Sequence, residues 1–290
     1  MNPSLVGSEM CIRDRGMMLF TSRPVGDAMA TTIWGTSSSW TLTALPLFVW
    51  MGEILFRTRL SENLFKGLSP WMQKLPGGLI HVNVVGCALF AAISGSSAAT
   101  VATVGKMSIP ELRKRNYPEK ILLGSLAGSG TLGLLIPPSI ILIIYGVAVQ
   151  ESIAKLFIAG ILPGIMIALI FMSYVIFWSL INKKQMPKIV EEYSIFEKIK
   201  RSKQLLPVIF LISAVIGSIY TGIATATEAA SLGVVGALIL SYFQKSLTLE
   251  TFKTSLLGAT KTSCMIAFIL AGSTFLSLAM GFTGLPRNLA

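Results

Sequence analysis

The sequence has few charged residues, one histidine and three cysteines, and each scarcity excludes a class of protein. Charged residues make up 13% of the 290 residues, about half the share typical of soluble globular domains. A single histidine, His81, cannot build a histidine metal cluster or a catalytic triad. Cys11, Cys87 and Cys264 have spacings that fit neither a metal site nor a disulfide framework. The chain also lacks a phosphate-binding loop, a nucleotide fingerprint and a zinc motif, so we expect no cofactor of these kinds.

The sequence is rich in long apolar runs. Hydrophobic residues make up 53% of the chain, and its mean hydropathy is +0.71. A bilayer core about 30 Å thick needs roughly 20 apolar helical residues, and helices satisfy their own backbone hydrogen bonds there. The sequence therefore predicts an all-α, polytopic membrane protein. The uninterrupted spans that we predict are 41–56, 156–181, 205–220, 226–243 and 259–282.

The positive charge lies mostly in segments between the apolar runs. The net charge is +11, but this placement argues against nucleic acid as a partner. If the cytoplasmic segments are 57–75, 106–120, 182–204 and 245–261, they hold 19 of the 24 lysines and arginines, as the positive-inside rule requires. The amphipathic segment 57–75 predicts a helix in the membrane interface. The basic linker at 182–204 is expected to face anionic lipid headgroups.

Two apolar segments are interrupted by small residues and proline. Residues 79–93 are short for a span and lead into the polar turn Ser94–Thr100, which predicts a re-entrant hairpin over 77–106. Residues 121–149 are long enough to span but contain a glycine cluster and the pair Pro137-Pro138. Since proline lacks an N–H group and clashes with the preceding turn, this pair predicts a helix that is broken within the membrane.

The order of these segments suggests a repeated architecture. Residues 1–15 are polar and aperiodic, and we interpret them as a foreign leader. Residues 16–39 are weakly organised, with the end of a truncated helix as one interpretation. The first repeat is placed at 16–181, and an incomplete second repeat at 205–290. The echo of Thr58–Leu64 in Thr283–Leu289 would fall on opposite sides of the membrane, as in the inverted repeats of secondary transporters. Both ends of the chain look cut, so the fold is expected to be a fragment.

The hairpin tip and the broken helix are the candidate binding sites. Hydroxyls and backbone carbonyls bind Na⁺, while the positive N-terminal end of a half-helix favours a carboxylate. The alternative is that the small residues only allow helices to pack closely. The candidate sodium and substrate ligands are Ser94, Gly95, Ser96, Ser97 and Thr100 in the tip, and Gly128, Ser129, Gly130, Thr131, Pro137, Pro138 and Ser139 at the break.

Glu228 is a further candidate, because acidic residues inside membranes are often functional. It lies at the start of a predicted span, where a helix dipole also favours negative charge, with Thr225 as the cap. Both interpretations stay open at this point. We expect Na⁺ as the coupling ion, no transition metal and no other cofactor.

Several motifs together resemble the large membrane subunit of TRAP transporters, the DctM type. The resemblance covers roughly residues 30–290, and the wider ion-transporter superfamily shares the hairpin and the broken helix. The motifs that carry it are Leu75-Pro-Gly-Gly-Leu79, Ser94–Thr100, Ile109-Pro-Glu111, Gly130–Ser139, Tyr145-Gly-Val147, Ala159–Gly164 and Thr225–Ala230.

The resemblance implies an inverted-repeat, elevator-type carrier in the bacterial inner membrane. Such a carrier takes a carboxylate solute, for example a C4-dicarboxylate or a sugar acid, from a periplasmic solute-binding protein and is driven by Na⁺ entry. A small membrane subunit accompanies the large one. Segments Ser94–Thr100 and Gly128–Ser139 would then form the first sodium site and one wall of the substrate site. The family's second hairpin and second broken helix do not occur in these residues.

Three other interpretations compete with a binding-protein-dependent permease. A stand-alone Na⁺-coupled dicarboxylate or citrate carrier would share the same segments but need no binding protein. A channel would need a continuous polar pore, for which the sequence offers only two short polar breaks. An intramembrane enzyme would need a Ser–His, paired Asp or His–Glu set at membrane depth, and the sequence lacks one.

Overall fold

The computed structural model describes residues 25–57, 60–187, 194–203 and 205–282, and all regular secondary structure in these ranges is helical. The predicted leader lies outside them, and so do most residues of the Thr58–Leu64 and Thr283–Leu289 echo. The α-helices of the described part are α1 (Val25–Ser37), α2 (Ala44–Phe56), α3 (Leu60–Met72), α4 (Ile80–Ser94), α5 (Ser97–Lys114), α6 (Glu119–Gly130), α7 (Ile140–Val149), α8 (Ile153–Ile181), α9 (Ile195–Ser202), α10 (Leu206–Tyr220), α11 (Ala226–Phe243) and α12 (Leu249–Phe282). Short 3-10 helices occupy Trp40–Thr43, Thr131–Leu134 and Lys183–Gln185.

Three helices in the described ranges, α8, α11 and α12, are long and apolar enough to cross a membrane, and two bent helix pairs raise the number to as many as five. The pairs are α1 with the segment Trp40–Phe56, and α9 with α10. Helices α4 and α7 are apolar but shorter than a span. Their length matches the predicted half-spans, while their depth in a membrane remains a prediction.

Helix α1 forms within residues 16–39, where the sequence indicated weak organisation and the end of a truncated helix. Val25 at its start is buried against Phe275 and Ala279 of α12, with Met29 packed beside them. Further along, the Thr36 hydroxyl donates to the Thr274 hydroxyl at 3.4 Å. This segment has no long apolar run, so its helix is stabilised by tertiary contacts that the local sequence does not reveal. These contacts lie within a compact unit formed by residues 1–43 and 260–290.

The segment at 245–261, predicted to be cytoplasmic, is mostly helical, and its side of the membrane remains a prediction. Helix α12 begins at Leu249 and continues without a break to Phe282, about 50 Å at the usual rise per residue. Its first turns pack on α2: the Trp50 and Phe252 rings lie 5.8 Å apart, and the Trp50 indole donates to Ser255 at 3.4 Å. This packing extends the helix through residues that are too polar to be recognised as part of a span.

The remaining described helices belong to a second compact unit, residues 44–259. Helices α4 and α5 form an antiparallel hairpin, and the apolar face of α3 packs on it through the buried side chains of Leu64, Phe65 and Leu68. Helices α6 and α7 follow as two pieces separated at Thr131–Ser139. The interruption thus occurs where glycine and proline predict it.

The open end of the hairpin is tied to the loop after α5. The Leu79 N–H donates to the Tyr117 hydroxyl at 3.1 Å, and the chain turns before it through Gly77 and Gly78, both with positive φ. A ring nitrogen of His81 lies 2.8 Å from the carbonyl oxygen of Pro76. The Tyr117 bond holds the Leu75–Leu79 turn against the α5–α6 connection, and the His81 contact stabilises the turn itself.

Replacing Tyr117 with phenylalanine should lower the stability of this end of the hairpin by about 1 kcal/mol, because a partly buried N–H loses its acceptor. Thermal denaturation of the purified protein in detergent measures the effect. Tyr145→Phe is the matched control, since Tyr145 is exposed. Equal melting temperatures for the two variants would contradict the assignment.

Candidate functional site

The hairpin turns in only two residues, Gly95 and Ser96. Gly95 ends α4 in the left-handed conformation (φ 58°), and its N–H donates to the Ala91 carbonyl at 3.0 Å. Glycine adopts this conformation without a steric penalty from Cβ. Ser96 caps α5, with its hydroxyl accepting the Ala99 N–H at 3.4 Å. The tip therefore places a helix carbonyl end next to a helix amide end.

Two buried hydroxyls join the halves of the tip. The side-chain oxygens of Ser94 and Thr100 lie 2.9 Å apart, and the Thr100 hydroxyl donates to the Ser96 carbonyl at 2.7 Å. Ser94 is 6% exposed and Thr100 is fully buried. Among the described residues, the neighbouring Ser97 hydroxyl has no hydrogen-bond partner. The Ser97 hydroxyl is thus available to a ligand without the loss of an internal hydrogen bond.

The break between α6 and α7 is a short irregular segment. The 3-10 turn Thr131–Leu134 follows α6, and the chain is then non-helical to Ser139, passing through a cis Pro137–Pro138 bond. Neither proline can donate a backbone hydrogen bond. The Ser139 hydroxyl donates back to the Leu134 carbonyl at 2.7 Å, and its side chain is fully buried. This bond closes the irregular segment on itself.

The tip packs directly on the break through backbone atoms. The Ile140 N–H, at the start of α7, donates to the Gly95 carbonyl at 3.3 Å. A Cβ at Gly95 would lie 2.7 Å from the Pro138 carbonyl oxygen, and one at Gly133 would lie 2.9 Å from the Ser97 nitrogen. Such distances leave no room for a side chain, so the contact requires glycine on both sides. The two predicted segments therefore form one continuous structure.

Neighbouring helices hold this junction from two sides. On α2, a Cβ at Gly52 would lie 2.9 Å from the Ser94 Cα, and on α8 a Cβ at Gly160 would lie 2.8 Å from the Leu135 carbonyl oxygen. The α2 contact was not predicted from the sequence, although a glycine inside an apolar helix is a typical signal of close helix packing. Gly52 and Gly160 are thus part of the structure that positions the junction.

Four helix ends converge on the junction, and their dipoles differ in sign. The C-terminal ends of α4 and α6 carry partial negative charge, whereas the N-terminal ends of α5 and α7 carry partial positive charge. A carbonyl end favours a cation and an amide end favours an anion. The dipoles of these ends would thus favour a small cation and a carboxylate without an acidic or basic side chain, and the binding of either remains a prediction.

The structure does not bring every predicted residue to the junction. Ser94–Ser97, Thr100, Gly130, Pro138 and Ser139 lie in or against it. Gly128 instead faces Phe171 of α8, with a Cβ-to-ring distance of 3.4 Å. The Ser129 hydroxyl donates to the Ser125 carbonyl at 2.6 Å, and that of Thr131 to the Gly128 carbonyl at 2.7 Å. These two hydroxyls stabilise the end of α6, and their role as ligands remains a prediction.

Glu228 forms a capping box at the start of α11. Its carboxylate accepts both the N–H and the hydroxyl of Thr225 at 2.8 Å, and its own N–H donates to the Thr225 hydroxyl at 3.3 Å. These bonds supply the structural role that the sequence allowed. A role for Glu228 in transport stays a prediction.

A family comparison agrees with this architecture. The family model of the tripartite ATP-independent periplasmic (TRAP) transporter, DctM component, matches residues 8–290. The chain belongs to this family. TRAP permeases are transport proteins and not enzymes, and the apolar helices indicate a multi-pass membrane protein.

Curated relatives are similar over nearly the whole chain. The C4-dicarboxylate TRAP transporter large permease protein DctM of Pseudomonas aeruginosa is 32% identical over 91% of this chain and 61% of its own length. The Rhodobacter capsulatus protein of the same name is 32% identical over 93% of this chain and 64% of its own. The sialic acid TRAP transporter large permease protein SiaM of Vibrio cholerae is 31% identical over 98% of this chain and 66% of its own. The chain thus spans about three fifths of the length of these relatives.

Substituting alanine for Gly133 should disturb the junction, because the new Cβ would clash with the Ser97 backbone. Overpacking of this kind costs about 1–3 kcal/mol. Gly128→Ala is the matched control on the same broken helix, since its Cβ would make ordinary contacts with Phe171. Thermal denaturation in detergent should show a lower melting temperature for Gly133→Ala alone. A similar loss in both variants would mean that the tip does not pack on the break as described.

Proposed function

We propose that the chain forms much of the permease of a sodium-coupled, binding-protein-dependent importer of organic anions in a bacterial inner membrane. Membership of the TRAP family supports transport as the activity. The proposed partners are a small TRAP membrane subunit and a periplasmic solute-binding protein. The second hairpin and broken helix of the family would have to come from the part of the relatives' length that this chain does not cover.

The substrate class is proposed from the relatives' names. The matched relatives are named for C4-dicarboxylates, sialic acid and, in Escherichia coli, 2,3-diketo-L-gulonate. Each of these compounds carries a carboxylate. A relative in Oleidesulfovibrio alaskensis is named for isethionate, a sulfonate. A relative in Ruegeria pomeroyi is named for ectoine and 5-hydroxyectoine, which carry a carboxylate but no net negative charge. A carboxylate or sulfonate group is common to these compounds, so the proposal extends to solutes with such a group and not to one compound.

Sodium binding is proposed for the junction of the hairpin tip and the broken helix. The observation that carries the proposal is the unpaired Ser97 hydroxyl beside the tip–break contact, next to the carbonyl end of α4 and the 3-10 turn that follows α6. Carbonyl and hydroxyl oxygens bind Na⁺ weakly and reversibly, as a coupling ion requires. The amide ends of α5 and α7 would attract the carboxylate of the solute. Bound Na⁺ would reduce the repulsion between these carbonyls and favour solute binding nearby.

A Ser97→Ala variant of a full-length permease containing this sequence should need about tenfold more Na⁺ for half-maximal uptake, because losing one ligand to a charged group costs ~1.4 kcal/mol. Ser96→Ala should act in the same direction but also lower stability, since Ser96 caps α5. Uptake of a radiolabelled organic acid into proteoliposomes, driven by a Na⁺ gradient and supplied by the cognate binding protein, measures the effect.

Ser231→Ala is the control, because that hydroxyl only donates to the Thr227 carbonyl within α11. An unchanged sodium dependence in Ser97→Ala would sink the proposed sodium site. Uptake that proceeds equally well without the binding protein would instead favour a stand-alone carrier. If the unaltered permease takes up no organic acid, the proposal of a sodium-coupled importer is itself wrong.

The double substitution of Pro137 and Pro138 by alanine should impair uptake more than folding. Alanine supplies N–H groups and favours a continuous helix across the break, which would displace the carbonyl end of α6. Circular dichroism and size-exclusion chromatography check folding, and the same uptake assay checks transport. Full activity in the double variant would show that the break is not needed.

A further inference from the structure

The short helix α9, outside the tip–break junction, has two distinct faces. Ile195, Phe196 and Ile199 lie on one side, and their exposed fractions are 74%, 76% and 50%. Lys198 and Ser202 lie on an adjacent side that packs on α3. The sequence from 194 to 203 contains four basic residues and one acidic residue. An exposed apolar face beside excess positive charge is typical of helices that bind a membrane surface.

Trp71 of α3 holds α9 in a fixed orientation. Its indole N–H donates to the Ser202 hydroxyl at 2.8 Å, and the Lys198 ammonium lies 5.5 Å from the centre of its ring, within cation–π range. Next to this contact, the Leu205 side chain fills the space above Gly67, where a Cβ would lie 2.6 Å from its Cγ. Because Lys198 and Ser202 already contact Trp71, the apolar face of α9 is left exposed on the surface of the fold.

The chain then places α9 at the end of an apolar membrane helix. Helix α10 begins at Leu206, after only three residues, and exposes Leu206 and Phe210 on its own surface. If α10 crosses the membrane, as predicted for residues 205–220, then α9 lies at the membrane surface, where its apolar side chains can enter the lipid. No carboxylate among the described residues forms an ion pair with Lys200 or Lys203, which lie near the apolar face.

We propose that α9, clamped on α3 by Trp71, is a docking surface for anionic phospholipid. The apolar trio would enter the boundary between headgroups and acyl chains, and Lys200 and Lys203 would bind the phosphate groups. Positive charge near the surface supplies the selectivity for anionic over zwitterionic lipid. This inference does not depend on sodium binding at the hairpin tip.

A fluorescent probe on α9 tests the proposal in the full-length permease. Phe196→Cys is made in a background in which Cys11, Cys87 and Cys264 are replaced by alanine, labelled with an environment-sensitive dye and reconstituted in nanodiscs. The discs contain phosphatidylcholine mixed with phosphatidylglycerol. In one set the phosphatidylcholine carries the acyl-chain spin label that quenches the dye, and in the other set the phosphatidylglycerol carries it. We expect quenching by acyl-chain spin labels and a preference of the site for phosphatidylglycerol.

The two lysines supply the preference for anionic lipid, so Lys200→Gln with Lys203→Gln should reduce it by up to about thirtyfold, at about fivefold for each surface charge. Lys114→Gln with Lys120→Gln removes the same charge from exposed positions elsewhere and should leave it unchanged. A probe that stays in water in both lipids would overturn the proposal. Equal quenching by spin-labelled phosphatidylcholine and phosphatidylglycerol would contradict the proposed preference for anionic lipid. An equal loss of that preference in both double variants would contradict the role of Lys200 and Lys203. Shielding of the probe that appears only with the small membrane subunit would assign the face to a protein partner and not to lipid.

Discussion

The contact between the hairpin tip and the broken helix is the constraint on which the candidate site depends. At this point two irregular backbone segments meet without intervening side chains, and glycine at 95 and 133 makes the approach possible. Backbone polar groups cannot stay unpaired in a membrane interior. If the junction lies at membrane depth, as the sequence predicts, the tip and the break satisfy this requirement partly through each other, since the Ile140 N–H donates to the Gly95 carbonyl. Each non-helical segment therefore supplies a hydrogen-bond partner that the other needs.

The same contact explains why an ion site can exist here without charged side chains. Helix ends supply partial charges of both signs within one junction, and the buried Ser94–Thr100 pair keeps the tip from opening. A site built from carbonyls and hydroxyls binds a monovalent cation only moderately. Moderate binding suits a carrier, because the ion must be released after each cycle. The supporting glycines on α2 and α8 keep these parts in register with the rest of the larger unit.

Sequence reasoning located the parts of this site but not their detailed contacts. The turn at Ser94–Thr100 and the break at Pro137-Pro138 were predictable, because proline and glycine act on the local backbone. The hydrogen-bond partner of each hydroxyl was not predictable. The Ser129 and Thr131 hydroxyls, for example, donate to backbone carbonyls about one turn earlier in the chain. The close approach of Gly52 to Ser94 was not predictable either, because it depends on how α2 packs against α4. The extent of α1 and the first turns of α12 could not be predicted for the same reason, because tertiary contacts stabilise them against a weak local signal.

The central claim is that Na⁺ binds at the hairpin tip beside Ser97. The most direct measurement is the rate at which a Ser97→Cys variant, otherwise free of cysteine, reacts with a small water-soluble thiol reagent in proteoliposomes with and without Na⁺. We predict that Na⁺ slows the reaction in a saturable way, while the larger cation choline has no effect. A rate that is the same in Na⁺ and choline would contradict the account.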